Sequence, residues 1–267
     1  MRLGTLVSMS RALVQWNLWL LGGLLVIGLP LVAVALQAMV RRFAPDIVKG
    51  EHNDVAGFLI AVVGVVYAVT LAFIVIVTWE GYRDARTVVH HEAGSLRSLY
   101  RDSQALPEPT RSQIGTLVLE YGREVAAGEW AALDAGEGSR AAFDLISQMF
   151  ETMSRAAPAT PTHEAFLAEA LAQLDDVAED RAERISVAED GLLSIMWAAI
   201  IVGGGVTIGF ALLFGVSDQR LHYLMVGAFA TVLALQIFVI LVLSHPFSGD
   251  LAVSPHPILH VVRDFGG

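Results

Sequence analysis

The chain has 267 residues, of which 55% are hydrophobic and 16% are charged, whereas typical soluble domains have about 25% charged residues. It contains no cysteine, which excludes disulfides, thiolate catalysis, iron–sulfur clusters and cysteine-ligated zinc. The net charge of −10 argues against nucleic acid as a partner, because phosphate contacts need lysine and arginine.

Four long apolar runs without a charged residue dominate the chain. A bilayer core takes roughly 20 apolar helical residues to cross. The runs are Asn17–Val40, Val55–Trp79, Leu192–Gly215 and Leu221–Ser244. They predict four transmembrane helices, two on each side of a polar middle. The predicted organisation is an N-terminal segment, first span and connecting loop over 1–54, the second span over 55–79, an acidic helical domain over 80–190, the third and fourth spans over 191–244, and a tail over 245–267.

The first run is expected to be a retained span. A cleaved signal peptide is the alternative, because Arg2 and Arg11 precede the run and Ala33-Val34-Ala35 resembles a cleavage site. However, the apolar stretch is much longer than the core of a signal peptide, which has about 7–15 residues. Trp16 also suits the membrane interface at the entry to a span.

The second run has two different faces. One face carries small residues at spacings of three and four, which favour close helix contact. These residues are Gly57, Ala61, Gly64, Ala68 and Ala72. The opposite face is bulky, and its Thr70, Phe73 and Val77 are the candidate pore-lining residues, with Phe73 as a possible hydrophobic constriction. Contact of this face with lipid is an equally good interpretation of the sequence alone.

The polar middle is predicted to be entirely helical, so the fold class is all-α. Helical periodicity is unbroken from Val55 to Leu106, which predicts that the second span continues as one helix of about 50 residues. Similar continuity from Thr162 to Gly215 predicts that the last helix of the domain runs into the third span. Prolines at 107 and 158 mark the ends of helices in between.

The middle is also strongly acidic, with 21 acidic and 10 basic residues over 80–190. Asp176, Asp180 and Glu183 lie in its most acidic stretch and are the candidate vestibule charges. If several subunits surround an axis, such residues form a ring that concentrates cations. The simpler alternative is a solvated helix face.

Motifs of enzymes are absent, including the nucleophile elbow, the phosphate-binding loop and the zinc-binding HExxH pattern. We therefore predict no enzymatic activity, no cofactor and no metal site. His90-His91-Glu92 is the nearest approach to a metal-ligand set. Neighbouring side chains on a helix point roughly 100° apart, so surface or packing roles are favoured over metal binding.

Short ordered motifs resemble the bacterial bestrophin-like family of membrane proteins over roughly residues 50–260. The matching segments are Phe73–Glu80, Tyr82 and Arg83, Glu92-Ala93, Leu96–Arg101, Leu106-Pro107, Tyr121, Glu129-Trp130, Pro246–Asp250 and Val253-Ser254. The family is similar in plan to true bestrophins, which are pentameric ion channels. In bestrophins the second span lines the pore, a helical cytoplasmic domain extends it, and a segment after the last span binds calcium.

The corresponding post-membrane motif here consists of Pro246, Phe247, Gly249 and Asp250. The glycine stands one position later than in bestrophins, and Asp250 is the only acidic residue nearby. Because calcium takes six or more oxygen ligands, we do not expect a calcium site. We expect this segment to fold back as a fixed turn.

The resemblance implies a homo-oligomeric channel, with five subunits, in the bacterial inner membrane. Eight arginines near the membrane on the side of the middle domain, against four basic residues on the other side, favour cytoplasmic N- and C-termini. The expected partners are the lipid bilayer, small inorganic ions and further copies of the chain. The acidic domain predicts a preference for cations.

Two other functions remain open. The first is a non-conducting membrane scaffold or signalling protein whose helical cytoplasmic domain binds a partner. The second is a transporter, which is disfavoured because ion-coupled transport often uses a charged residue within a span and the four runs contain none.

Overall fold

A computed structural model of the chain describes residues 18–45, 53–189, 191–216 and 218–266. The described residues form helices and no strand, which confirms the predicted all-α class. The helices are α1 (Leu18–Phe43), α2 (Asn53–Ser103), α3 (Thr110–Glu124), α4 (Trp130–Leu133), α5 (Arg140–Ser154), α6 (Pro161–Glu189), α7 (Ser194–Leu212), α8 (Gln219–Leu243) and α9 (His256–Gly266). A π-helical turn, Val125–Glu129, lies between α3 and α4. The predictions that involve Arg2, Arg11 and Trp16 fall outside the described residues.

Four helical stretches in the described part of the chain are long and apolar enough to cross a membrane, as predicted. They are Trp19–Phe43, Gly57–Ser103, Pro161–Leu212, which combines α6 and α7, and Gln219–Leu243. In the second and third stretches the apolar part is limited to about 57–79 and 192–212, because a charged or polar segment adjoins it. The four apolar parts coincide with the four runs identified in the sequence.

Helix α2 is a single helix of 51 residues, in agreement with the predicted continuity beyond the second span. The structure differs from the prediction after residue 162, because α6 ends at Glu189 and α7 begins at Ser194. Leu193 adopts an extended backbone (φ −52°, ψ 136°). Gly191 lies in the same interruption, and glycine disfavours a helix by about 1 kcal/mol relative to alanine. Leu192 is buried, so apolar packing stabilises this interruption.

The chain divides into two compact units. The membrane unit is made from the described parts of Met1–Glu80 and Leu192–His245, and the helical unit from Gly81–Gly191 and Pro246–Gly267. The C-terminal segment therefore belongs to the helical unit. Within that unit Tyr100 of α2 stacks on Phe265 of α9, with ring centroids 4.3 Å apart.

The core of the helical unit follows the helical periodicity of its sequence. Buried side chains recur at spacings of three and four, the repeat that places residues on one helix face. They include Val89, Leu96 and Leu99 on α2, Ile114, Val118 and Tyr121 on α3, Ile146 and Met149 on α5, Leu174 and Val177 on α6, and Ile258 and Val261 on α9. The amphipathic faces read from the sequence are therefore the faces that pack.

In the membrane unit, glycines allow α2 and α7 to approach closely. A Cβ atom on Gly203 would lie 2.5 Å from the ring of Tyr67, and one on Gly204 would lie 3.0 Å from the Tyr67 hydroxyl oxygen. That hydroxyl donates a hydrogen bond to the carbonyl oxygen of Ile200 at 2.8 Å. A Cβ on Gly205, in contrast, would meet no atom within 4 Å.

We predict that Gly203→Ala destabilises the membrane unit, because the Tyr67 ring must move and its hydrogen bond to Ile200 must weaken. Overpacking of this kind costs about 1–3 kcal/mol. Thermal unfolding of the purified protein in detergent measures the effect, and Gly205→Ala is the matched control that should leave the midpoint unchanged. Equal midpoints for the two variants would contradict the proposed packing role.

Candidate functional site

In the described part of the chain, the membrane part of α2 packs through one face and leaves its other faces open. Tyr67, Leu71 and Ile74 are buried, each less than 10% exposed. Phe73 and Val77, two of the three candidate pore-lining residues, are 65% and 47% exposed. The helical repeat places them on a flank beside the packed face, so the residues that the structure describes leave them largely exposed.

Thr70, the third candidate, is half-buried on the same flank. Its hydroxyl donates a hydrogen bond to the carbonyl oxygen of Val66, one turn earlier, at 2.9 Å. A hydroxyl that donates in this way keeps its lone pairs as acceptors. Thr70 can therefore offer oxygen to a cation or to water, while its proton is already committed.

The small-residue face of α2 lies on the other flank. Ala61, Ala68 and Ala72 are exposed, and a Cβ atom on Gly64 would meet no atom within 4 Å. Gly57 is the exception, because its Cβ would lie 3.7 Å from the Phe214 ring. Most of this face is thus free to receive a helix from outside the chain.

The three candidate vestibule charges lie on one face of α6, at spacings of four and three. Asp176 and Glu183 are exposed. Asp180 is half-buried and accepts a hydrogen bond from the Ser95 hydroxyl of α2 at 3.3 Å. The structure therefore brings these carboxylates together, although one of them already has a partner in the chain.

The segment Pro246–Asp250 is folded into a turn of the helical unit. The N–H of Val253 donates to the carbonyl oxygen of Pro246 at 2.7 Å. Gly249 has a φ of 77°, a conformation that glycine adopts more easily than other residues. Phe247 is 4% exposed and meets Trp130 edge to face at 5.7 Å, while Asp250 is exposed.

A buried charge network lies inside the helical unit, and sequence reasoning missed it. Arg184 of α6 donates to Glu92 of α2 at 2.6 Å and to Glu129 of the π-helical turn at 2.7 Å. Arg181 donates to the same Glu129 carboxylate at 2.5 Å. Glu92, Glu129 and Arg184 are fully buried, and Arg181 is 9% exposed. Two carboxylates and two guanidinium groups therefore balance each other away from water.

Neighbouring groups add further hydrogen bonds to the two carboxylates of this network. The Tyr121 hydroxyl donates to Glu92 at 2.6 Å, and the N–H of Ser139 donates to Glu129 at 2.8 Å. Burial, followed by the charge of Glu92, raises the pKa of Tyr121 well above its usual value, so the phenol keeps the proton that it donates. The guanidinium of Arg184 lies 5.3 Å from the centroid of the Trp130 ring, within the range of a cation–π interaction.

The π-helical turn explains how Glu129 reaches the network. In this turn the N–H of Trp130 bonds to the carbonyl oxygen of Val125. This bond spans five residues, one more than the corresponding bond of an α-helix. Glu129 consequently stays on the buried side of the chain that carries Tyr121 and Val125. Such turns are frequent at specialised sites in helices.

A signal for the network was present in the sequence. Arg181 and Arg184 continue the buried register of Leu174 and Val177 on α6, and Glu92 occupies the equivalent place between Val89 and Leu96 on α2. Charged residues at apolar positions predict buried partners, since an unpaired buried charge is very costly. The network also separates Glu92 from His90 and His91, which are exposed. In the described part of the chain, no group of three or more possible metal ligands converges.

A smaller polar cluster lies in the membrane unit. His222 Nδ1 lies 2.9 Å from Arg41 Nη2 and 3.2 Å from Gln37 Nε2. Both of these nitrogens donate, so the ring proton is assigned to Nε2, which lies 3.3 Å from the Ala211 carbonyl oxygen. Arg41 also donates to the carbonyl oxygen of Val216 at 2.8 Å. Arg41 therefore connects the end of α1 to α8 and to the segment that follows α7.

We predict that Glu129→Gln destabilises the helical unit strongly, because two guanidinium groups lose their shared counter-charge. Breaking a buried ion pair on one side costs about 3–5 kcal/mol, which corresponds to a fall of roughly 10 °C in the unfolding midpoint. Scanning fluorimetry of the purified protein measures this change. Asp144→Asn, which removes the exposed pair with Arg140, is the control and should cost at most about 0.5 kcal/mol.

Comparison with known proteins gives a single family assignment. A family model described as "Bestrophin-like domain" matches residues 27–258, which is most of the chain. The match includes α2, the charge network and the turn at Pro246–Asp250. No curated protein matches the chain, and no solved structure matches it.

Proposed function

Because the chain belongs to the Bestrophin-like family, we propose that it is an oligomeric membrane channel for small ions. The family is related to bestrophins, which are ion channels. The observation that carries the proposal is that two faces of α2 are exposed in its membrane part. Exposed large apolar residues and an exposed small-residue face flank its packed side, and either lipid or a partner helix must cover both.

Assembly of identical copies around an axis provides such partners. In a closed ring each copy contacts its neighbours through two different surfaces. The small-residue face of α2 suits close packing against a helix of the next copy. The flank with Thr70, Phe73 and Val77 then lines the axis. Five copies are proposed from the resemblance to bestrophins.

The proposed pore combines a constriction with a single polar ring. Phe73 and Val77 make an apolar ring that can exclude water, as hydrophobic gates do. The Thr70 oxygen, whose proton is committed to Val66, faces the ion as an acceptor and therefore favours cations. Asp176, Asp180 and Glu183 of several copies add negative charge at the vestibule in this proposal.

The first test is ion flux from liposomes that contain the purified protein. We predict that Phe73→Ala increases flux, since a smaller side chain widens an apolar constriction and lowers its barrier. Phe58→Ala, which removes an aromatic ring from another exposed part of α2, is the matched control and should leave flux near the wild-type value. If the flux through Phe73→Ala equals the wild-type flux, Phe73 does not form a constriction in the pore.

Single cysteines refine the same test, because the natural chain has none. A water-soluble thiol reagent should block flux through Phe73→Cys and Val77→Cys but not through Ala68→Cys. Block at Ala68→Cys alone would assign the small-residue face to the pore. An intact oligomer without flux would instead favour the non-conducting scaffold.

Cation preference is tested by reversal potentials under a salt gradient. We predict that the combined change Asp176→Asn, Asp180→Asn and Glu183→Gln weakens the preference, most clearly at low salt, because exposed charges are screened over about 8 Å at physiological ionic strength. Neutralising the exposed Glu120, Glu137 and Glu164 is the control. Anion selectivity of the wild-type protein, or equal effects of both triple changes, contradicts the vestibule assignment.

A further inference from the structure

The helical unit contains an open groove whose walls carry basic groups and no carboxylate. It has a volume of about 610 Å³ and lies between the later half of α2 and the segment that begins α9. Arg86, His90 and Arg97 line it from α2, and His256 and His260 line it from α9. This volume lies within the range of small-ligand sites, roughly 300–1,000 Å³.

The basic groups converge because of helical spacing on both walls. Arg86, His90 and Arg97 share one face of α2, since they are separated by four and seven residues. His256 and His260 are four apart on α9, and their rings stack with centroids 6.3 Å apart. Two helices thus direct their basic faces into one cavity.

This convergence is unusual for the region in which it occurs. Acidic residues outnumber basic residues by 21 to 10 over 80–190, yet no acidic residue lines the groove. Within the described part of the chain, neither Arg86 nor His90 has a carboxylate partner. Arg97 pairs with Asp264 at 3.3 Å, and both side chains are at least 40% exposed, so this pair is weak.

Side chains, and not backbone N–H groups, are the donors that the groove offers to a ligand. At the start of α9, the N–H of His256 already bonds the Ser254 hydroxyl at 3.3 Å, and the N–H groups of Ile258 and Leu259 bond the Pro255 carbonyl oxygen. The Tyr82 hydroxyl is likewise committed to Leu251 at 3.0 Å. The arginine and histidine side chains are therefore the groups available to a ligand.

We propose that this groove binds a small anion that carries phosphate groups. A guanidinium offers a planar pair of N–H donors that matches phosphate oxygens, and such charge-assisted bonds are strong. Two arginines and three histidines in one cavity suit a ligand with more than one phosphate. The phosphate can belong to a soluble molecule or to a lipid headgroup, because both present the same oxygens.

The test uses the full-length protein in nanodiscs of zwitterionic lipid, with inorganic pyrophosphate as the probe in titration calorimetry. We expect saturable binding that the double variant Arg86→Gln/Arg97→Gln weakens about tenfold or more, since each lost charge-assisted bond contributes substantially. Arg140→Gln, an exposed arginine elsewhere in the unit, should bind as the wild type does. Arg86→Lys keeps the charge without the planar fork, so it should lie between them.

A second arm separates the two sources of phosphate. In a second set of nanodiscs, phosphatidic acid replaces part of the zwitterionic lipid. The lipid that co-purifies with the protein is then measured by mass spectrometry. If the wild-type protein retains phosphatidic acid and the double variant does not, the groove binds a lipid headgroup. Pyrophosphate binding without such retention assigns it to a soluble anion. Either result supports phosphate recognition.

Other outcomes overturn the proposal. Absence of both pyrophosphate binding and lipid retention removes the site, as does equal binding by the double variant and Arg140→Gln. Dissociation of the oligomer in the double variant, with each chain still folded by circular dichroism, shows that another copy occupies the groove. None of these results depends on ion flux, so the channel proposal is tested separately.

Discussion

The packing of the helical unit depends on the buried charge network, in which two acidic and two basic side chains neutralise each other. Glu92, Glu129, Arg181 and Arg184 hold three chain segments together with ionic hydrogen bonds of 2.5–3.1 Å. Such a network adds little net stability compared with apolar packing, because each charge loses its hydration. It is, however, intolerant of wrong alignment, since any slip leaves a buried charge without its counter-charge. The network therefore fixes which residues of α2, the π-helical turn and α6 face one another.

Several of the residues that carry the family resemblance lie in or beside this charge network. Glu92 and Glu129 are members of it, Tyr121 and Trp130 contact it, and Phe247 packs on Trp130. The Trp130 indole also donates to the Val253 carbonyl oxygen at 3.0 Å. These motifs, which are scattered over the sequence, thus meet in one packed region of the helical unit, whereas the motif Phe73–Glu80 lies in the membrane unit. The physical role of the motifs in the helical unit is architectural, and they position the surfaces on which function is to be sought.

Those surfaces differ in charge and in polarity. In the helical unit, α2 and α9 present a basic groove, whereas α6 presents Asp176 and Glu183 to solvent. In the membrane unit, α2 presents a small-residue face and a bulky face that are exposed in the described part of the chain. These features favour assembly in the membrane unit and ligand binding in the helical unit.

The sequence by itself determined the four spans, the all-α class and the family. The length of an apolar run and the periodicity of a helix are local properties, so they can be read without knowledge of contacts. Only the tertiary structure decided which face of α2 packs on Gly203. It also decided that Arg41 connects helices and that α6 ends before Ser194. It also decided that Glu92 meets Arg184, 92 residues later in the chain, and that His256 lies across a groove from Arg86. Pairings of this kind arise from long-range packing, which selects one partner among many chemically equivalent residues.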